Sequence, residues 1–143
     1  MAAKGSTFDN DLLKLIFNGT AIANIADNAA SSPLTNLYLS LHTASPGAGG
    51  NQTTNESAYT SYARVAVART SGGWTVTGAS VSPVATISFP AATGGSETVT
   101  YIAIGTASSG TGKILYYGAI SPTIAVSNGV TPELTTSTTI TEA

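Results

Sequence analysis

The residues that could carry acid–base or nucleophilic chemistry are few in this chain and lie far apart. Histidine occurs once, as His42, and cysteine does not occur. Catalysis of these kinds needs a base held beside its partner, and the sequence places no identifiable carboxylate partner for His42. The seven acidic residues are scattered, so no convergent pair of carboxylates is indicated. The sequence therefore predicts a protein that is not an enzyme.

Two short segments resemble ligand-binding loops only in part. Residues 107–114, ASSGTGKI, end in Gly-Lys before a final residue, as a phosphate-binding loop does, but Ala107 replaces the first glycine and Ile114 the Ser or Thr. A strand is predicted after this loop, where phosphate binding needs a helix N-terminus. Residues 9–11, DND, begin like a calcium loop but lack its later glycine and closing glutamate. The sequence thus predicts no cofactor and no metal site.

Composition narrows the classes of partner. The 143 residues fit one domain, and charged residues make up 8% of them, against roughly 25% in an ordinary soluble domain. Five scattered basic residues and a net charge of −2 do not provide the basic patch that nucleic acid requires. No apolar run is long enough to cross a bilayer, and the N-terminus does not have the pattern of a signal peptide. We expect no nucleic-acid partner, no membrane partner and no secretory export.

The elements that must position any functional residue begin with a helix. Ser6 stands at a typical N-cap position and Gly19 at a typical stop. Apolar residues recur between them at helical spacing: Phe8, Leu12, Leu15 and Ile16. Such a stripe usually packs on its own domain, and less often a terminal helix docks on a neighbour.

From Asn36 onward the pattern alternates with period two, as in strands. Pro83 indicates an edge or a bulge, and Asn128-Gly129 is a hairpin signal. Strands are predicted over 36–42, 62–69, 74–76, 81–89, 97–106, 113–120, 123–126 and 134–141. About eight short strands without helical crossovers predict an all-β fold: a single domain, a jelly-roll-like antiparallel β-sandwich with a short N-terminal α-helix and arm over residues 1–35.

One long Gly/Ser/Thr-rich segment, residues 44–61, separates two of the predicted strands and lacks their alternating pattern. Loops longer than about 12–15 residues are uncommon in compact domains and are often functional or mobile. It is either a surface insertion without a role or an arm that orders on contact with a neighbour. Pro46 and Asn51 in this loop, and Phe8, Leu12 and Ile16 in the helix, are the predicted protein-contact residues there.

Several motifs carry a resemblance to a known family. LYLSLHTASPG (37–47), NESAYTSYARVAVAR (55–69) and PTIAVSNGVTPEL (122–134) are similar to segments of a family of small tailed-phage virion proteins. Members often read L-H-T…P-G and then N-E…Y-T-G-Y-A-R, whereas this chain has Ser61 before the tyrosine. Tyr62 and Arg64 lie in the most recognisable motif. They are predicted either to contact a partner or to act structurally, the arginine on a loop carbonyl and the tyrosine in the core.

The resemblance implies a structural role in the phage particle. Members are commonly labelled tail-fibre proteins, and those with an understood role, including a cement protein of a Bordetella podophage, are jelly-roll subunits on the outside of the head. It thus implies a capsid cement or decoration protein, made in the bacterial host cytoplasm, that binds major capsid protein subunits. We further expect self-association as a dimer or trimer.

Two alternatives to the cement role stay open. A tail-fibre or receptor-binding module would need an exposed aromatic platform, for which Trp74, Tyr116 and Tyr117 could serve, although a lone Trp on a short strand is more typical of a core. An unrecognised polysaccharide hydrolase would need a convergent pair of acids.

Overall fold

One short helix is followed by nine strands in residues 6–22 and 33–142, the parts of the chain that the computed structural model describes. The elements are α1 (Ser6–Phe17), β1 (Asn36–His42), β2 (Val65–Ala68), β3 (Trp74–Thr77), β4 (Ser80–Pro83), β5 (Ile87–Ser88), β6 (Glu97–Gly105), β7 (Ile114–Val126), β8 (Glu133–Leu134) and β9 (Ile140–Thr141). Strand β1 pairs antiparallel with β6, β3 with β4, β4 with β9, and β6 with β7. The predicted all-β class with one short N-terminal helix is therefore confirmed, and the architecture is consistent with a β-sandwich.

The chain divides into two compact units, and the larger is built on a four-stranded sheet of order β2-β1-β6-β7. The register of β1 on β6 places Leu39 opposite Ile104 and Leu41 opposite Ile102. These side chains share one face and are buried, as the leucine alternation of β1 predicts. Burial of this one face fixes the register, because a slip of one residue would expose every leucine.

The smaller unit contains α1 and the three-stranded sheet β3-β4-β9. Leu13 and Phe17, one helical turn apart, are fully buried, and the Phe17 ring meets Trp74 edge to face at 4.8 Å. The predicted preference of Trp74 for the core is confirmed, because only 2% of it is exposed. The sequence pattern singled out neighbouring positions on the helix and missed this pair.

Helix α1 is terminated by a turn at Gly19, and Arg69 caps its C-terminal carbonyls. Gly19 has φ 64°, and the Thr20 N–H donates back to the carbonyl of Lys14. The Arg69 guanidinium donates to the carbonyls of Ile16 and Leu15, both at 2.6 Å. These carbonyls have no partner within a helix, and a cation at this end also complements the helix dipole.

Several predicted strand boundaries differ from the structure. The predicted strands 113–120 and 123–126 are one strand, β7, because an irregularity in its pairing with β6 accommodates residues 120–123. The predicted strands 81–89 and 134–141 each contain two shorter strands. The predicted hairpin at Asn128-Gly129 is wrong: Gly129 has φ 88° in a turn closed by Val130 N–H to Ser127 O, but β8 pairs with β5.

Candidate functional site

The most recognisable sequence motif folds into an ion pair inside the larger unit. The Arg64 guanidinium holds both carboxylate oxygens of Glu56, with Nε to Oε1 at 2.6 Å and Nη2 to Oε2 at 2.8 Å. Only 3% of the Arg64 side chain and 15% of that of Glu56 are exposed. The hydrogen bonds that Arg64 donates to Glu56 raise the pKa of Arg64 above its usual value. A two-point contact of this kind fixes geometry as well as charge.

Tyr62 joins this pair to the sheet. Its hydroxyl donates to Glu56 Oε1 at 2.9 Å and accepts from the backbone N–H of Leu41 at 3.1 Å. Burial raises the pKa of Tyr62 well above its usual value, so the hydroxyl keeps its proton. The Tyr62 ring also stacks on Phe89, with centroids 6.5 Å apart. Tyr62 therefore connects the buried carboxylate, strand β1 and the aromatic core.

Arg64 also orders the loop between β6 and β7. Its Nη1 donates to Ala107 O at 2.9 Å and its Nη2 to Gly110 O at 2.7 Å. Of the two predicted roles, these contacts favour the structural one, an arginine bound to loop carbonyls and a tyrosine in the core. Residues 107–114 are the segment that resembles a phosphate loop. The carbonyls of Ala107 and Gly110 in this segment accept hydrogen bonds from the Arg64 guanidinium, and strand β7 follows as predicted.

Gln52 holds the same loop from the other side. Its Nε2 donates to Tyr38 O at 3.3 Å, and its Oε1 accepts from Ala107 N at 3.0 Å. A Cβ added to Gly105 or Gly112 would lie about 2 Å from the Gln52 side chain. Gln52 is fully buried, so these two glycines leave the space that its amide occupies. No local sequence pattern predicts a role for this residue.

His42 is fully buried on the face of β1 opposite the leucines. Its Nδ1 lies 2.9 Å from Thr54 O, and its Nε2 lies 2.9 Å from Ser40 Oγ. A carbonyl only accepts, so Nδ1 carries the proton and Ser40 donates to Nε2 of the neutral ring. Burial lowers the pKa of His42. The alternation of β1 puts His42 on the face opposite its leucines, and the following loop covers this face.

That loop, residues 44–61, is folded onto its own unit and is not a free arm. Asn55 O accepts from Thr43 N, Leu41 O accepts from Ser57 N, and Gly112 O accepts from Gln52 N. The prediction of an arm that orders only on contact with a neighbour is therefore wrong. Its polar backbone is satisfied by β1 and by the β6–β7 loop, in keeping with the pairing that a buried backbone requires.

The predicted contact residues are distributed as follows. Leu12 and Ile16 are half-buried on α1 beside the buried Leu13 and Phe17. The side chain of Phe8, and residues 1–5 and 23–32 of the predicted helix and arm, lie outside what the structure describes. Pro46 is buried. Asn51 Oδ1 accepts from Thr53 N at 2.9 Å and closes a turn within the loop. Among the predicted contact residues whose side chains the structure describes, only Tyr62 and Arg64 are brought together in one network. Their role as partner contacts stays a prediction.

The described residues contain no group of three or more His, Cys, Asp or Glu side chains placed to hold a metal ion. None of the helices in residues 6–22 and 33–142 is long and apolar enough to span a membrane.

The fold and the network define a class of protein: an all-β structural module whose most distinctive polar residues bind one another. A comparison with protein families gives a more particular assignment. The family model described as podophage GP4 fiber I protein gp80 matches residues 5–141. The chain belongs to this family, which is a family of structural phage proteins and not of enzymes. No curated protein matches the chain.

Proposed function

We propose that this protein is a structural subunit of a phage fibre and acts through contacts with other virion proteins. The observation that carries the proposal is the family match, which spans almost the whole chain and bears the name of a fibre protein. The buried network is in keeping with this role. The Glu56 carboxylate, the Arg64 guanidinium and the His42 imidazole are all engaged within the fold, where they rigidify the module rather than face a substrate.

Low charge supports contacts with other virion proteins. Seven acidic and five basic residues in a chain of 143 leave little charge to repel copies held close together. Interface cores are also depleted in charged residues. We therefore propose further copies of the chain, as a dimer or trimer, and neighbouring virion proteins as its partners.

A second candidate is a cement or decoration protein on the outer surface of the head, bound to the major capsid protein. The resemblance of residues 37–47 and 55–69 to a family of small tailed-phage virion proteins, some of whose members are jelly-roll head proteins, favours it. A rigid β-module in many copies would reinforce a shell, because many weak contacts act together. The family name favours the fibre, so the cement role takes second place.

Immunogold labelling of purified virions distinguishes the two candidates. Antibody raised against the full chain should label a fibre at a defined position on the particle, and antibody against the major capsid protein serves as the control that decorates the head. Label spread evenly over the head would replace the fibre proposal with the cement role. Intact virions that carry no label, while immunoblots of the same particles lack the protein, would overturn both.

A further inference from the structure

We propose that Ser40 and His42 form an acid-sensitive latch, which holds residues 44–55 against the larger unit and releases them when the imidazole takes up a second proton. The inference goes beyond the proposed function, because it concerns a local opening of the fold and not the place of the protein in the virion. It is carried by the hydrogen bonds of the latch, by their burial and by the contacts of the latched segment.

The latch is a chain of two hydrogen bonds that needs a neutral ring. His42 Nδ1 donates to Thr54 O at 2.9 Å, and Ser40 Oγ donates to His42 Nε2 at 2.9 Å. Ser40 and His42 belong to β1, whereas Thr54 lies in the segment that follows it, so the ring ties this segment to the strand. A cationic imidazole has two N–H donors and no acceptor. The second proton therefore removes the acceptor that Ser40 uses.

Ser40 cannot adapt to a cationic ring without a loss. Once Nε2 carries a proton, Ser40 Oγ accepts from it, and the hydroxyl proton then needs another acceptor. Ser40 makes no other side-chain hydrogen bond in the described part of the chain, and neither Ser40 nor His42 is exposed to water. A buried donor without an acceptor costs free energy, as does a charge removed from water. The closed segment therefore favours the neutral ring.

The other ionisable groups around His42 do not reverse this preference. Glu56 and Arg64 lie between β1 and β2, their charges act on His42 in opposite directions, and they pair with each other. Tyr62 binds the same carboxylate, and Tyr101 lies opposite His42 on β6. Burial of the ring outweighs the effects of its neighbours, and the pKa of His42 lies below its ordinary value of 6.5.

Release of the latched segment also frees the loop between β6 and β7 from one of its supports. Gln52 N donates to Gly112 O at 2.9 Å, and Gln52 Oε1 accepts from Ala107 N at 3.0 Å. These two bonds open with the segment, because Gln52 belongs to it. The Arg64–Glu56 pair lies outside residues 44–55 and keeps its hold on Ala107 O. The opening is therefore local.

The direction of the pH effect follows from the two states of the ring. In the open state the imidazole meets water and has its ordinary pKa of 6.5, while in the closed state its pKa is lower. Well above pH 6.5 the ring is neutral in both states, and acid has no effect. Below pH 6.5 the open state binds the proton more readily, so opening becomes at most about thirtyfold more frequent by pH 5.

Hydrogen exchange followed by NMR at pH 7.5 and pH 5 tests the latch, with rates corrected for the intrinsic effect of pH. The backbone N–H groups of Gln52 and Ala107 should lose about three- to thirtyfold of their protection at pH 5. Phe89 and Ala92 are the control amides, because they bond Pro132 O and Val130 O elsewhere in the same unit. Their protection should not change.

The matched variant is His42→Gln, whose side chain cannot titrate. Protection of the Gln52 and Ala107 amides in this variant should not depend on pH. Three results would overturn the proposal: unchanged protection of these amides in the wild-type chain, an equal loss at the control amides, or the same loss in His42→Gln. The labelling experiment on virions is independent of all three, so the proposed function and the latch fail separately.

A second measurement uses the fact that the chain has a single histidine. Its ring signal in NMR spectra of the untagged protein should titrate with a midpoint below pH 6.5. Ser40→Ala removes the hydroxyl that donates to Nε2, so the midpoint should move back toward 6.5. Ser88→Ala is the matched control, because Ser88 is exposed and bonds Glu133, and it should leave the midpoint unchanged. A wild-type midpoint at or above 6.5, or no shift in Ser40→Ala, would contradict the latch.

Discussion

Glu56 and Arg64 show how the strongest sequence motif is used. Their ion pair is almost fully screened from water, with Arg64 only 3% exposed. Coulomb attraction within such a pair is offset by the cost of removing both charges from water, so a buried pair contributes little net stability. Removal of one partner is a different matter, because the other charge stays buried without compensation.

We therefore expect Glu56→Gln to destabilise the protein by about 3–5 kcal/mol, since Arg64 would lose its counter-charge. Urea denaturation measures this. Glu56→Gln combined with Arg64→Met should cost less than the two single changes summed. The control is Lys113→Met, an exposed lysine, which should change the free energy of unfolding by no more than about 0.5 kcal/mol. A cost for Glu56→Gln as small as that of the control would show that the ion pair is not structurally important.

His42 makes stability depend on pH in a defined direction. Its pKa is lowered by burial from an ordinary value of 6.5, an effect that Thr54 O and Glu56 oppose and Arg64 reinforces. Well above pH 6.5 the ring is neutral in the folded and unfolded chains alike, so it does not make the free energy of unfolding depend on pH. Below 6.5 the unfolded chain binds the proton more readily, and stability falls until the pH passes the lowered pKa of the folded state.

Urea midpoints between pH 8 and pH 5 should therefore fall more steeply for the wild-type chain than for His42→Gln, which cannot titrate. The difference should be absent above about pH 7, because the ordinary pKa of histidine is near 6.5. Parallel profiles for the two proteins would mean that His42 is not held neutral by its burial.

At the scale of elements, the loop over residues 44–61 and the β6–β7 loop stabilise each other through Gln52. The Gln52 amide bonds Tyr38 O and Ala107 N, and it fits only because residues 105 and 112 have no side chain. A methyl group at Gly105 would displace the amide and break both bonds.

Gly105→Ala should accordingly destabilise the protein by about 1–3 kcal/mol, the usual range for overpacking. Gly49→Ala is the matched control, because a Cβ there meets nothing within 4 Å and its φ is not in the left-handed region. Thermal unfolding should show a lower midpoint for the first variant and an unchanged or higher one for the second. Equal midpoints would indicate that the Gln52 amide does not hold the two loops together.

The elements also show what the sequence could predict. β1 follows from the alternation of its leucines with Tyr38, Ser40 and His42, although both faces of its second half are buried. β7 was predicted as two separate strands, since the irregularity in its pairing with β6 after Ala119 interrupts the alternation. The helix was predicted, but Leu13 and Phe17 were missed because apolar residues also occupy the neighbouring positions Leu12 and Ile16.

The buried network could be predicted only in part. The sequence identified Tyr62 and Arg64 through a motif, but it could not show that Arg64 reaches Ala107, 43 positions away. Nor could it show that His42 is covered, because burial of the polar face of β1 depends on where the following loop folds. Contacts between residues far apart in sequence leave no local pattern, and this limited what was predicted of the site.

At the scale of the whole molecule, family membership shows a structural phage protein, and we propose that it binds other virion proteins. Low charge is suited to copies placed side by side, because little charge is left to repel them. A fibre and a head coat differ most simply in how many copies a particle carries.

The most direct test of the central claim is the copy number of this protein in purified virions, measured by quantitative mass spectrometry against the major capsid protein. A fibre subunit should be present in a small number of copies, far fewer than the capsid protein. A ratio near one, or a simple fraction such as one half, would contradict the fibre assignment and place the protein over the whole head.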